Sequence, residues 1–158
     1  MADLLNNTNS NANNYGDDAI VTLSPREHIR LRPGMYVGVV GDGSQPDEAL
    51  YVLIKEVVDN SIDEFIMGAG RQIDITLADN VVTVRDYGRG IPLKSLAAAV
   101  GQMNTGGKYG GDAFKKTVGL NGVGVKAVNM LSEEFTARSV RDGEARTVTF
   151  AKGLEVSD

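Results

Sequence analysis

Cysteine is absent from this chain of 158 residues, and histidine occurs once, at His28. Disulfides and Cys/His zinc sites are thereby excluded, and a lone histidine is far more often structural than a ligand. Any chemistry must rest on carboxylates, amides and cations. Basic charge is scarce as well, with 16 Lys and Arg against 21 Asp and Glu and a net charge of −5. Gripping nucleic acid needs clustered Lys and Arg to neutralise phosphates, so a role on DNA would sit outside this region. No apolar run approaches ~18 residues and no charged-then-apolar leader opens the chain; a cytoplasmic protein without a membrane span is the expectation. No internal repeat is present. What is there, 42% hydrophobic and 23% charged residues, suits one globular domain with a real core.

Residues 1–18, MADLLNNTNSNANNYGDD, are rich in Asn and too poor in apolar residues to order themselves, so they read as a flexible arm ahead of a domain spanning 19–158. Ala19 to Leu23 is expected as a short strand. Ser24-Pro25-Arg26-Glu27 offers an N-cap followed by Pro at N1, starting a short helix that stops before Arg32-Pro33-Gly34. The stretch Leu50 to Met67 has helical period and begins near Gln45 to Asp47. At about 100° per residue, Leu50, Leu53, Ile54, Val57, Ser61 and Phe65 share an arc that reads as core. Glu56, Asn60 and Asp63 share another that reads as a site, because a solvated face would mix Lys and Glu in i,i+4 pairs. Glu64 falls at the margin of the apolar arc, where a carboxylate needs a partner.

Beyond Gly70 the period changes to two. Ile73, Ile75 and Leu77, then Val82 and Val84, predict a hairpin turned at Ala78-Asp79-Asn80. Leu93 to Met103 reads as a helix, Thr105 to Asn121 as a glycine-rich loop and Val123 to Leu131 as another helix. Strands follow near Glu134 to Arg141 and Ala145 to Ala151. This order predicts an α+β fold, helices layered on a largely antiparallel sheet, and not a Rossmann alternation.

Seven of the nineteen residues from Gly106 to Gly124 are glycine, and Gly119-Leu120-Asn121-Gly122-Val123-Gly124 opens directly into a helix, where backbone N–H groups can hold phosphate. The loop fits neither Walker A nor G-x-G-x-x-G. Asn60 could offer an amide oxygen to Mg²⁺, and Glu56 could orient or deprotonate a water. Asp86, acceptor-only when ionised and expected at the end of a buried strand, could take the exocyclic amine of adenine. Arg89 is the natural partner for Glu64.

Glu-Val-Val-Asp-Asn-Ser-Ile-Asp-Glu, Asp-Tyr-Gly-Arg-Gly-Ile-Pro and Gly-Leu-Asn-Gly-Val-Gly resemble the three nucleotide motifs of the GHKL ATPases. More narrowly, Arg32-Pro33-Gly34-Met35-Tyr36 and Thr105-Gly106-Gly107-Lys108-Tyr109 resemble the B subunits of bacterial type II topoisomerases, gyrase or topoisomerase IV. The likeness runs from about Tyr15 to Phe150. It implies the GHKL fold, ATP and Mg²⁺ as ligands, and strand passage of DNA driven by ATP-gated dimerisation, as supercoiling or decatenation. By residue, it implies Glu56 as general base, Asn60 as Mg²⁺ ligand, Asp86 as adenine acid, and Glu64 with Arg89 as a flanking salt bridge. Val58, Gly90, Ile91 and Pro92 would wall the adenine pocket. Gly119, Leu120, Asn121, Gly122, Val123, Gly124 and Val125 would cradle the triphosphate, with Lys108 on a lid and Tyr15 reaching the ATP of a second copy. Arg141 resembles a residue at the rim where aminocoumarin-type inhibitors bind. Partners implied are a second B subunit, the gyrase or topoisomerase IV A subunit, and DNA through regions beyond these residues.

Asn121 departs from the family's usual His. The family's Lys-Thr-Gly-Thr motif and its transducer with a γ-phosphate lysine do not occur before Asp158, so a piece of a longer polypeptide with weak turnover of its own is expected. Other GHKL readings are a chaperone, a mismatch-repair clamp or a histidine kinase, and the bland one is a non-catalytic binder. The Arg-Pro-Gly-Met-Tyr and Gly-Gly-Lys-Tyr segments favour the topoisomerase, and Glu56 argues against a pure binder.

Overall fold

The structure, a computed structural model, describes residues 19–106 and 122–157. The arm with Tyr15, and Lys108, Gly119, Leu120 and Asn121, lie outside the described residues. Helix α1 (Pro25–Leu31) starts as its sequence dictates: the Ser24 hydroxyl accepts from the Glu27 N–H while the Glu27 carboxylate accepts from the Ser24 N–H, with Pro25 at N1. The single turn α2 (Gly34–Val37) follows. The long helix α3 (Ala49–Ile66) begins after Glu48, whose carboxylate accepts the Gly43 N–H at 2.7 Å in the preceding turn.

Strands β1 (Ile73–Ala78) and β2 (Val81–Asp86) form an antiparallel hairpin. Asp79 and Asn80 both take positive φ, 51° and 62°, the two-residue turn whose twist matches the strands. A 3₁₀ turn (Leu93–Ser95) leads into α4 (Leu96–Gly101). After the loop come α5 (Gly124–Leu131) and the antiparallel meander β3 (Glu134–Arg141), β4 (Glu144–Ala151) and β5 (Leu154–Ser157). The fold is α+β with antiparallel ladders, as expected, although among the described residues the strands form two sheets, β1-β2 and β3-β4-β5.

Helix α5 packs against α1, α3 and α4 and so separates two clusters of core. One gathers Ile29, Val37, Ala49, Ala127 and Met130; the other gathers Leu96, Val100, Val148 and Phe150. Arg30 fastens α1 to this arrangement by donating to the Met130 carbonyl at 2.8 Å, at the C-terminal end of α5.

Several expectations are corrected. Ala19 to Leu23 forms no strand; Ile20 and Val21 are largely exposed, and among the described residues their β-branched run has no strand to pair with. On α3, Leu50 and Phe65 are 47% and 59% exposed, whereas Asp63, placed on the polar arc, is 4% exposed and Asp59 is buried beside Lys55. The helix packs on more than one side, and a single apolar stripe does not describe it. It also begins later than Asp47, and Leu93 to Met103 divides into a 3₁₀ turn and a six-residue helix.

Candidate functional site

The carboxylates of α3 are set by helical spacing. Glu56 is half-buried and Asn60 lies one turn on, its amide donating to the Glu56 carbonyl at 2.7 Å, so both present to the same side. The first turn of α5 comes up against them. A Cβ on Gly124 would overlap the Glu56 carboxylate, so only glycine lets the acid sit against the start of that helix. Among the described residues no side chain caps α5, and the N–H groups of a helix's first turn, with the positive end of its dipole, face whatever lies there.

Two turns beyond Glu56 along α3, Glu64 meets the loop after β2. Its Oε1 and Oε2 accept from Arg89 Nη2 at 2.8 Å and Nε at 3.0 Å, and Oε2 also accepts the Arg89 N–H at 3.1 Å. The carboxylate that the wheel leaves without a partner has a bidentate one. The Arg89 side chain as the main donor holds the Glu64 carboxyl below its ordinary 4.5, against desolvation and Asp63, which push it up; the Arg89 guanidinium is raised in return. A depressed acid stabilises the fold fully above its unfolded pKa, and that stability drains as pH falls through the lower folded value. Because the Arg89 side chain is 50% exposed, the pair is worth about 1 kcal/mol, nearer a surface bridge than a buried one. The melting-temperature gap between wild type and Arg89→Met is therefore expected to be widest near neutrality and to close below pH 4.5. A gap that widens in acid would contradict this account of the pair.

Asp86 ends β2 and its Oδ1 accepts the Gly88 N–H at 2.9 Å. Gly90, at φ 72°, carries the chain against β3: a Cβ there would overlap the Val140 carbonyl. Ser139 donates to the Ile91 carbonyl at 2.7 Å and Arg141 to the Gly90 carbonyl at 3.3 Å. Ser139 escapes a reading of the sequence, although a hydroxyl at the inward register of β3, 4% exposed, is the available signal. A cleft of about 190 Å³ lies between the end of α3 and the start of β1, lined by Ser61, Phe65, Ala69, Gly70, Arg71, Gln72, Ile73 and Asp86. Of the expected site residues among those described, only Asp86 borders it.

The structure therefore brings Glu56 against Gly124, with Asn60 one turn further along α3, and Glu64, Arg89 and Asp86 beside one another, with Gly90 and Ile91 tied to β3 through Arg141 and Ser139. Among the described residues no helix is long and apolar enough to cross a membrane.

Residues 45–155 match the family model described as histidine kinase-, DNA gyrase B-, and HSP90-like ATPase. The B subunit of DNA topoisomerase 4 from Borreliella burgdorferi is 56% identical over 140 residues, 89% of this chain and 23% of that protein. The B subunit of DNA gyrase from Rickettsia conorii is 42% identical over 153 residues, 91% of this chain and 18% of that one. The chain thus spans less than a quarter of these curated relatives. Among solved structures, the 43K ATPase domain of Thermus thermophilus gyrase B in complex with an aminocoumarin superposes with a TM-score of 0.67 at 28% identity. It covers 84% of this chain and 33% of that one.

Proposed function

The chain belongs to the histidine kinase-, DNA gyrase B- and HSP90-like ATPase family, and on that premise we propose that it is the ATP-binding and ATP-hydrolysing region of a bacterial type II topoisomerase, within its B subunit. The observation that carries the reading is the Glu56 carboxylate seated against Gly124 at the start of α5. A carboxylate beside N–H groups suited to phosphate has the placement of a base for water attacking a γ-phosphate. Adenine lies against Asp86, whose carboxylate accepts the exocyclic amine, with Gly90, Ile91 and Pro92 along the base and Glu64–Arg89 at its flank. Gly122 to Val125 hold phosphate oxygens, and from sequence Lys108, Gly119, Leu120 and Asn121 join them.

The donor set fits Mg²⁺: Asn60 donates its N–H to the Glu56 carbonyl, which turns its oxygen into the ligand, and Mg²⁺ takes few protein oxygens alongside phosphate and water. When bound, the ion neutralises charge on the phosphates.

The relatives are named as B subunits, which supports a partner subunit for the complete polypeptide; to this the sequence resemblance adds a second copy reached through the Tyr15 arm, and DNA passed together with a topoisomerase A subunit. Both supercoiling and decatenation fit this reading, because topoisomerase 4 relatives at 56% and 39% identity bracket the gyrase one at 42%. Reconstitution with the cognate A subunit tests the reading: ATP-dependent decatenation or supercoiling is expected, and ATP-dependent activity of neither kind would refute it. The aminocoumarin in the related structure suggests the same ligand class here, with Arg141 at the rim. Arg141→His is expected to weaken an aminocoumarin at least about tenfold while changing ATP affinity less than about threefold, since a partly exposed rim guanidinium loses a charged hydrogen bond; equal losses in calorimetry would contradict it.

A further inference from the structure

Tyr87 follows the adenine-side acid Asp86 directly, yet its side chain turns into a network on the outer side of the β1-β2 hairpin. Its hydroxyl donates to Asp74 Oδ2 at 2.7 Å, and Asp74 Oδ1 accepts from the Gln72 amide at 2.7 Å. The Arg85 guanidinium lies 4.5 Å from the centre of the Tyr87 ring, a cation over an aromatic face, and Arg85 sits directly across the ladder from Asp74. From the other side the turn at Gly70 closes on the Tyr87 main chain, where an added Cβ would stand 3.1 Å from its carbonyl carbon. The residue is thus held by ring, hydroxyl and backbone, although it is exposed to water.

We infer that Tyr87 is a positioning residue for ATP recognition: tethered to Asp74 on β1, it fixes the backbone that aims the neighbouring Asp86 carboxylate at the adenine amine. Asp86 is exposed, so packing does little to fix it, and its carboxylate accepts from the Gly88 N–H, on the far side of Tyr87. The direction of the carboxylate is therefore set by the 86–88 backbone; the ladder pairs Asp86 with Ile73 at the start of β1, and the tether carries that attachment one residue further, to Tyr87, past the end of the strand. The Asp74 carboxyl is held below its ordinary range first by Gln72 and then by Tyr87, so near neutrality the acceptor is a charged one, which strengthens the bond.

The inference rests on the ATP reading, and the test separates the two. Tyr87→Phe keeps the ring over Arg85 and deletes only an exposed hydroxyl, so the fold survives. Calorimetry is run with a non-hydrolysable ATP analogue and with the matching purine riboside analogue, which lacks the exocyclic amine. Tyr87→Phe is expected to weaken the ATP analogue roughly three- to tenfold and the purine analogue less than about twofold, the size of one hydrogen bond's effect on one contact. Asp74→Ala should reproduce the loss, and the double variant should add nothing to it. Unchanged affinity for the ATP analogue, an equal loss on both nucleotides, or additive losses would overturn the inference, because a merely structural tyrosine would weaken both ligands alike. Wild type that shows no preference for the ATP analogue would remove the adenine reading itself, and the inference with it.

Discussion

In the complete polypeptide, Glu56→Gln leaves ATP affinity within about twofold of wild type and lowers single-turnover hydrolysis by about 10²- to 10⁴-fold, the span a positioned general base supplies. Gln has nearly the shape of Glu, so the seat against Gly124 is kept and only the proton acceptor is lost. The same seat makes a second test. Gly124→Ala inserts a methyl group where the carboxylate lies, and because the backbone of α5 yields less readily than a side chain, Glu56 must move; hydrolysis should fall nearly as far. If Gly124→Ala retained full turnover, the carboxylate would not be acting from the position described. A Glu56→Gln protein that lost binding and hydrolysis together would make Glu56 a structural residue.

The second large effect is at the base. Asp86→Asn replaces part of an acceptor by donors facing the donating amine, and a mismatch of this kind, covered by the base, costs about 1 to 3 kcal/mol, or roughly 5- to 150-fold in ATP affinity. The loss should be confined to binding, because Asp86 sits near Glu64, about two turns of α3 away from the phosphate end at Glu56. Calorimetry returning an affinity equal to wild type would refute the adenine assignment.

The placement of these groups is partly legible in the chain. Glu56 and Asn60 follow from helical spacing, which fixes neighbours one turn apart whatever surrounds the helix. Glu64 stands out as a carboxylate needing a partner, and Arg89, 25 residues on, answers it. Periodicity also locates β1 and β2, where Ile75 opposes Val84 and Leu77 opposes Val82. The wheel is wrong where it assumes one buried stripe: Phe65 is exposed and Asp63 buried, because tertiary neighbours approach α3 from two sides and a sequence window records none of them. Ala19 to Leu23 has strand composition but no partner strand among the described residues, and composition does not register which neighbours a segment meets. Strand β5 (Leu154–Ser157) and the single turn α2 escape detection since four residues are too few to show a period. Tyr87 and Ser139 escape for another reason. Their parts are long-range hydrogen bonds, from Tyr87 to Asp74 and from Ser139 to the Ile91 carbonyl, which only the closed hairpin and the docked β3 create.

Lys126 and Asn129 extend that lesson to the core. Both are buried on α5, and their side chains donate to the Thr105 carbonyl at 2.7 Å and the Val100 carbonyl at 3.1 Å. Two polar side chains three residues apart thus fasten α5 to the end of α4 and the residues after it, and with them the start of the helix that meets Glu56.

The most direct test is a crystal structure of the protein with a non-hydrolysable ATP analogue and Mg²⁺. The account predicts the adenine amine on the Asp86 carboxylate, the phosphates against Gly122 to Val125, Mg²⁺ on the Asn60 oxygen and a water held by Glu56 in line with the γ-phosphate. A nucleotide whose base lies away from Asp86, or whose phosphates lie away from the start of α5, would contradict it.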